Sequence, residues 1–450
     1  MRTSTNNSIS LAQAVSMAVG TMIGASIFTI FGLGAQIAGR DLPLAFLLSG
    51  CLALMVAYSY AMLGRQIVSN AGPISFLLKG IGDTVLTGAL AVLMWLSYVV
   101  SISLFVKGFA GYLLPLIGLE PSPLRTGVIE AGVIALFTLL NVFGSKAVGR
   151  LEFVIVAVKL SVLLVFIVLG AATLDFSRLS PSFTFSGTEG MLTGSIVFFL
   201  SYMGFGLITN ASENIEKPSV NVPRAIYIST VMVIMIYVSV SAVALGNLSV
   251  PELVDAQDNA LAVAARPFLG HAGFALLSYG ALFSIASALN ATLYGGANVA
   301  YSLAKDGELP EVFERKIWFK STEGLYITAG LGLLFALLFN IESIASITSC
   351  VYTVIYLCVI IAHYRLVDTY GGSKPLILVF MLVMVAVLGG LFWYQFQTSR
   401  VTFYATLVTF GGALLLEYFY RYGRKRTFGI GKKLPGESCS SGTEKRDGSR

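Results

Sequence analysis

Twelve apolar runs, each about 20 residues or longer, succeed one another along this chain, and that is the length a helix needs to cross hydrocarbon. They lie near 11–38, 43–64, 84–115, 125–144, 148–172, 190–210, 225–246, 271–301, 324–341, 344–363, 374–394 and 401–420. With 56% apolar and 12% charged residues, 450 residues cannot make an ordinary soluble domain. The chain reads as an all-α polytopic membrane protein with twelve transmembrane helices. The N-terminal MRTSTNNSIS is short and polar, and the first apolar run is too long for a signal peptide, so none is expected.

Lysines and arginines orient the spans. Starting with the N-terminus inside, the inner connections hold Arg65, Lys79, Lys146, Arg150, Lys217, Arg224, Lys305, Arg315, Lys316, Lys320, Arg365 and Lys374. The opposite side holds only Arg40, Arg125, Arg178, Arg266 and Arg400. The positive-inside rule then places both termini in the cytoplasm of a cell-membrane protein. Residues 1–10 form a short cytoplasmic start and 421–450 a basic tail. Its aromatic-basic cluster, with Arg421, Arg424, Lys425 and Arg426, suits an anchor on anionic lipid better than a nucleic-acid site. From Pro435 onward the composition reads as disordered. Cys51, Cys350 and Cys358 are scattered through apolar runs, Cys439 lies in the tail, and the only histidines are His271 and His363. That pattern indicates neither a disulfide framework nor a metal or haem centre, and no cofactor is expected.

Two spans are interrupted. In the first, GTMIGASIF (residues 20–28) places Gly20 and Gly24 four apart, followed by Ala25 and Ser26. Glycine costs about 1 kcal/mol in a helix interior relative to alanine. A break in a bilayer frees backbone groups, tolerable only where they line a cavity or bind something. The same spacing also suits a close helix–helix contact. The sixth span, SIVFFLSYMGFGLITN, carries Ser201, Gly204, Gly206, Thr209 and Asn210. If residues 11–172 are one five-span unit and 190–363 another, both units open on a glycine-broken helix. Five is odd, so the repeat is inverted, and paired interruptions of this kind point to a transporter's midplane site. Residues 374–420, spans eleven and twelve, lie outside the repeat.

The outer half of span one starts near Ala25 and Ser26, where free N–H groups suit a carboxylate. The inner half ends near Thr21 to Ile23 and span six offers carbonyls near Phe199 to Ser201, both suited to an ammonium. An amino acid carries that pair of groups. Acidic side chains are read as absent from the membrane interior, which disfavours polyamines and cationic side chains. Tyr202, Met203 and Phe205 are expected to wall the site and favour small to medium neutral side chains. Two lysines lie within spans. Lys107, near the outer end of span three, is read as snorkelling to the interface. Lys159, at the centre of span five, costs about 2.5–3.5 kcal/mol even on a lenient insertion scale, and such residues are rarely without function. Buried lysines titrate well below their solution value, so Lys159 is a candidate proton carrier, the competing role being a charged pin on backbone carbonyls.

GTMIGASIF resembles the first-helix signature of the amino acid–polyamine–organocation family of transporters, with Ser26 in place of the usual third glycine. FFLSYMGFG with SENIEKPSVNVPRAI, carrying Glu213, Glu216, Pro218, Pro223 and Arg224, is similar to that family's sixth helix and following loop. NVAYSLAKDGELPEVF (298–313) resembles the end of its eighth helix. The match covers roughly residues 8–400 and is nearest to proton-coupled archaeal members of broad amino acid specificity. The resemblance implies a LeuT-type five-plus-five inverted repeat with discontinuous helices 1 and 6 and alternating access. It implies that Lys159 stands where sodium-coupled relatives hold sodium, touching the Gly20 carbonyl and Ser284. It implies substrate contacts at Ile23, Gly24, Ala25, Ser26, Leu200, Ser201, Tyr202 and Gly204. Glu213, Glu216, Lys217 and Arg224 read as cytoplasmic gate residues.

The expectation is proton-coupled amino acid uptake, with protons rather than sodium as partner ion and exchange without net proton movement as the alternative. An ion channel would need a lining ring of like groups, and a membrane enzyme a cluster of histidines and carboxylates at one depth. Neither pattern is visible. A receptor that binds amino acids without moving them differs from a carrier only in flux.

Overall fold

The computed structural model describes residues 9–24, 26–69, 72–143, 148–182, 184–305, 313, 315 and 323–424. Ala25, the orienting residues Lys146, Lys316 and Lys320, most of the loop after span eight and the tail beyond Arg424 lie outside the described residues.

The first span is built in pieces. Ser10 caps α1 (Leu11–Met22): its hydroxyl accepts from the Gln13 N–H, and the Gln13 side chain accepts from the Ser10 N–H. α1 ends at Ile23, whose backbone leaves the helix, and the chain resumes as α2 (Ser26–Thr29) and α3 (Phe31–Ala38). Gly39, at φ 54°, turns the chain into α4 (Leu42–Gly64), which starts on Pro43. A short α5 (Pro73–Gly80), not foreseen from the sequence, precedes α6 (Val85–Leu116). α7 (Pro123–Phe143) and α8 (Val148–Ala171) follow.

The sixth span comprises α9 (Phe185–Val197), a nine-residue 3-10 helix Phe198–Gly206, and α10 (Leu207–Asn210). A 3-10 run of that length is unusual and marks a segment held by its surroundings. α11 (Pro218–Asn247) starts from Lys217 at φ 47°. The next connection carries α12 (Val250–Asp255) and α13 (Ala260–Ala264), joined by a 3-10 turn at Gln257–Asn259. α14 (Arg266–Lys305) is interrupted at Gly270, where φ is 59°, so its long helical course begins at His271 as the sequence predicts. α15 (Glu323–Leu338), α16 (Ile341–Tyr370), α17 (Lys374–Thr398) and α18 (Arg400–Arg424) complete the described chain.

Among the described residues eleven helical stretches, the interrupted ones counted whole, are long and apolar enough to cross a membrane, and α15 is a shorter apolar helix of 16 residues. The protein is all-α among the described residues, with one isolated parallel bridge between Ile9 and Ile215. α6 and α16 sit centrally, largely buried, whereas α7, α17 and α18 turn much of their apolar surface outward. A water-soluble fold would bury that surface, and hydrocarbon needs no such burial.

Two sequence readings are corrected here. Acidic side chains do occur within the spans: Glu130 on α7 is 1% exposed and Glu417 on α18 is 4% exposed. Lys107 therefore does more than snorkel, since its ammonium lies 3.4 Å from Glu130 Oε1. Arg421 is held by Asp83 and by Glu417 at 3.1 Å, which pins α18 to the start of α6 instead of freeing that side chain for lipid.

Candidate functional site

Breaking two helices frees carbonyls that must find donors. In the first break Lys159 Nζ donates to the Gly20 carbonyl and the Tyr237 hydroxyl to that of Met22. The Ser26 hydroxyl also donates to the Met22 carbonyl, at 2.9 Å. Ser284 Oγ serves both the Ile23 carbonyl, at 3.0 Å, and the Gly24 carbonyl. Along the 3-10 segment Ser349 donates to Val197 at 2.7 Å and Tyr356 to Met203 at 3.2 Å. Tyr237 ties the two breaks together, its oxygen also lying 3.2 Å from the Ser201 carbonyl and 3.3 Å from Ser26 Oγ. Lys159 is 2% exposed and arrives from α8, so a flexible four-carbon stem delivers its amine donor into the buried break.

The glycines make these approaches possible. A Cβ at Gly20 would lie 2.6 Å from Val156 Cγ2 and 3.9 Å from Lys159 Nζ. One at Gly24 would lie 2.9 Å from the Ala288 methyl. Gly204 faces the backbone of the other broken helix, where a Cβ would be 2.7 Å from the Met22 nitrogen and 3.0 Å from the Ala18 carbonyl. Close helix contact and a broken helix, posed from the sequence as alternatives, are both realised at Gly20 and Gly24.

Between the two breaks lies a cavity of about 150 Å³. Thr21, Met22 and Ser26 line it from the first span, and Leu200, Ser201, Met203 and Gly204 from the sixth. α6 supplies Tyr98 and Phe105, α14 supplies Ser287 and Ala288, and α16 supplies Tyr352 and Tyr356. No charged side chain is among the lining residues. The Ser201 hydroxyl is buried and makes no hydrogen bond among the described residues. A buried donor of that kind costs about 1–3 kcal/mol unless something supplies a partner, so it marks a place for a ligand.

The expected wall is only partly there. Met203 lines the cavity, but Tyr202 turns away, its hydroxyl donating to the Phe46 carbonyl at 2.8 Å and its ring packing on Tyr237. Phe205 stacks on Tyr356 and meets Tyr60 edge-on, outside the lining. Neighbours in a 3-10 segment point about 120° apart while residues three apart share a face, so Tyr202 and Phe205 fall together on one side and Met203 on another. Ile23 and Gly24 offer carbonyls to Ser284 beside the cavity rather than surfaces within it. Glu213, Glu216, Lys217 and Arg224 are all exposed on the far side of α10. There the Glu216 N–H donates to the Ile9 carbonyl at 3.0 Å and the Ile9 N–H to the Asn214 carbonyl at 2.7 Å, which bridges the N-terminal stretch to this loop. Tyr237, Ser349 and Tyr356 were missed. The signal for Tyr237 was a phenol in the middle of an apolar run, where its hydroxyl has to find a partner.

The comparisons with known proteins agree with this architecture. Residues 9–416 match the family described as amino acid permease. The chain is 60% identical to an uncharacterized protein of Methanocaldococcus jannaschii, over 94% of this chain and 97% of that one. It is 33% identical to the inner membrane transport protein YbaT of Escherichia coli, over 94% and 97% of the two chains. It is 23% identical to the branched-chain amino acid permease BcaP of Bacillus subtilis, over 65% and 66%. The chain therefore belongs to the amino acid permease family, and it is a multi-pass membrane transporter of amino acids rather than an enzyme.

Proposed function

We propose that this permease takes up neutral amino acids by alternating access, driven by protons that bind and leave Lys159. The single observation that carries the reading is the buried Lys159 ammonium on the Gly20 carbonyl, one turn before the break that borders the cavity. Losing its proton removes the charge that holds α8 to α1, so protonation and the set of the broken helix are linked. A cavity of about 150 Å³ is the size that takes a benzene-sized molecule, which suits a small to medium amino acid. Its uncharged lining of methionine, phenylalanine and tyrosine disfavours a second full charge on the substrate, because unpaired buried charge is expensive. Similarity to BcaP, a branched-chain amino acid permease, is consistent with such a side chain.

The substrate carboxylate is assigned to the start of α2, at Ser26, with Ser201 and Gly204 across the cavity. A five-plus-five inverted repeat is supported by the contacts of the first four spans, each with the one five further on. α1 meets the 3-10 segment, α4 meets α11, α6 meets α14 and α7 meets α15. Both termini are assigned to the cytoplasm of the cell membrane, so the bridge of Ile9 to Asn214 and Glu216 closes the inner face. Sodium is disfavoured because the Lys159 ammonium already satisfies a carbonyl it would need.

Proteoliposomes loaded with the protein and given a panel of labelled amino acids at two pH values test this directly. Uptake of neutral amino acids that rises with an inward proton gradient and ignores sodium is expected. Sodium-dependent, pH-independent uptake would overturn it. Counterflow with no net accumulation under a proton gradient would favour exchange instead.

A further inference from the structure

The face opposite Ile9 carries a group of ionisable side chains that the transport site does not use. Lys107 on α6 and Glu130 on α7 form the ion pair described above, and Asp258 lies beside them in the turn between α12 and α13. Two close approaches seat that turn, and a third joins α6 to α2 beside it. A Cβ on Gly111 of α6 would lie 2.9 Å from Asp258 Oδ2. One on Gly32 of α3 would lie 2.8 Å from the Gln257 carbonyl carbon. One on Gly108 would lie 2.9 Å from Thr29 Cβ of α2. Gln257 itself sits at φ 48°, a conformation that a non-glycine side chain rarely adopts, so packing holds the turn in shape. The turn is thus wedged between the outer half of the first broken helix and α6.

We propose that Asp258 is a second proton-binding group of this transporter, and that its protonation favours the arrangement in which the 248–265 connection is packed on α3 and α6. The groups facing it are Lys107 and Tyr112 from α6 and Glu130 from α7. α2, α3 and α13 carry no ionisable side chain. α12 carries Glu252, which is tied to Ser249, and Asp255. Of the two carboxylates, Glu130 is the one within reach of the single ammonium. An ionised Asp258 therefore adds a second negative charge beside Glu130, whose own charge the Lys107 ammonium already balances.

The direction of the linkage follows. Burial pushes the Asp258 carboxyl up to about 6 from its ordinary 3.8, against the pull of Lys107 and with the help of Glu130. A detached, solvated turn would return it to its ordinary range. The packed arrangement thus binds the proton more tightly, so acid favours packing and the advantage fades as pH rises through about 6. The proposal rests on the transporter reading for its meaning: a proton taken from outside would favour closing that side over the cavity.

Hydrogen exchange of the 249–265 amides in lipid nanodiscs, corrected for intrinsic rates, tests it. Protection in the wild type is expected to be about tenfold greater at pH 5 than at pH 8. Asp258→Asn should remove that difference. Glu130→Gln, which takes away the like charge, should keep it but move its midpoint to lower pH. A wild type equally protected at both pH values, an Asp258→Asn protein that keeps the tenfold difference, or an unmoved midpoint in Glu130→Gln would each overturn the proposal. Lys159→Ala should retain the loop response, so a failure of coupling at Lys159 and a failure at Asp258 are read separately.

Discussion

Replacing Tyr237 with phenylalanine removes one oxygen from the point where the two broken helices meet. That oxygen donates to the Met22 carbonyl, 3.2 Å from the Ser201 carbonyl and 3.3 Å from Ser26 Oγ. The ring volume is kept, so no cavity term enters. The Met22 carbonyl retains the Ser26 hydroxyl as donor, whereas the Ser201 carbonyl loses the phenol beside it. Losing a buried hydrogen bond of this kind costs about 0.5–1.5 kcal/mol, which is roughly 2- to 13-fold in the equilibrium that sets the hinge. Tyr202→Phe is the matched control. Its hydroxyl is equally buried and donates at 2.8 Å, but to Phe46, away from both breaks. Both variants should lose stability to denaturant in detergent by similar amounts. Only Tyr237→Phe should also raise the half-saturating substrate concentration. Unchanged uptake in Tyr237→Phe, or an equal loss of uptake in Tyr202→Phe, would refute the idea that Tyr237 sets the geometry of the site.

Gly204→Ala places a methyl against the Met22 nitrogen and the Ala18 carbonyl, backbone atoms that cannot step aside. It should cost about 1–3 kcal/mol and slow transport, as read by thermal unfolding and initial uptake rates. Ser201→Ala removes a hydroxyl with no partner among the described residues, so stability should hold or rise slightly while substrate affinity falls in an equilibrium binding assay. Removing Lys107 alone strands the buried Glu130, a change of about 3–5 kcal/mol, whereas Lys107→Met with Glu130→Leu should recover most of the loss in denaturant titrations.

The spans and both interruptions were readable from the chain because length, hydropathy and glycine spacing are local properties. α5, α12 and α13 were not, since short amphipathic connections leave no apolar run of membrane length. Lys159 stood out as a charge at mid-span, and its meeting with the Gly20 carbonyl was expected only through family resemblance. Lys107 was underestimated for a physical reason. Its partner Glu130 lies on the next span near the polar end, where an acidic residue reads as interfacial until packing buries it. Tyr202 and Phe205 show the remaining limit. Which way a side chain faces in a 3-10 segment depends on where that segment begins, and hydropathy does not reveal that. Ser284 was expected, through the family resemblance, as a contact of Lys159, and the structure shows its hydroxyl serving the Ile23 and Gly24 carbonyls.

The most direct test of the central claim is amino acid accumulation driven by a pH gradient in proteoliposomes, comparing wild type with Lys159→Ala. Equilibrium binding of the labelled amino acid would first establish that the variant is folded. The account predicts that the variant binds and exchanges its substrate but no longer accumulates it against a gradient. Accumulation at the wild-type level, with the wild-type response to pH, would contradict it.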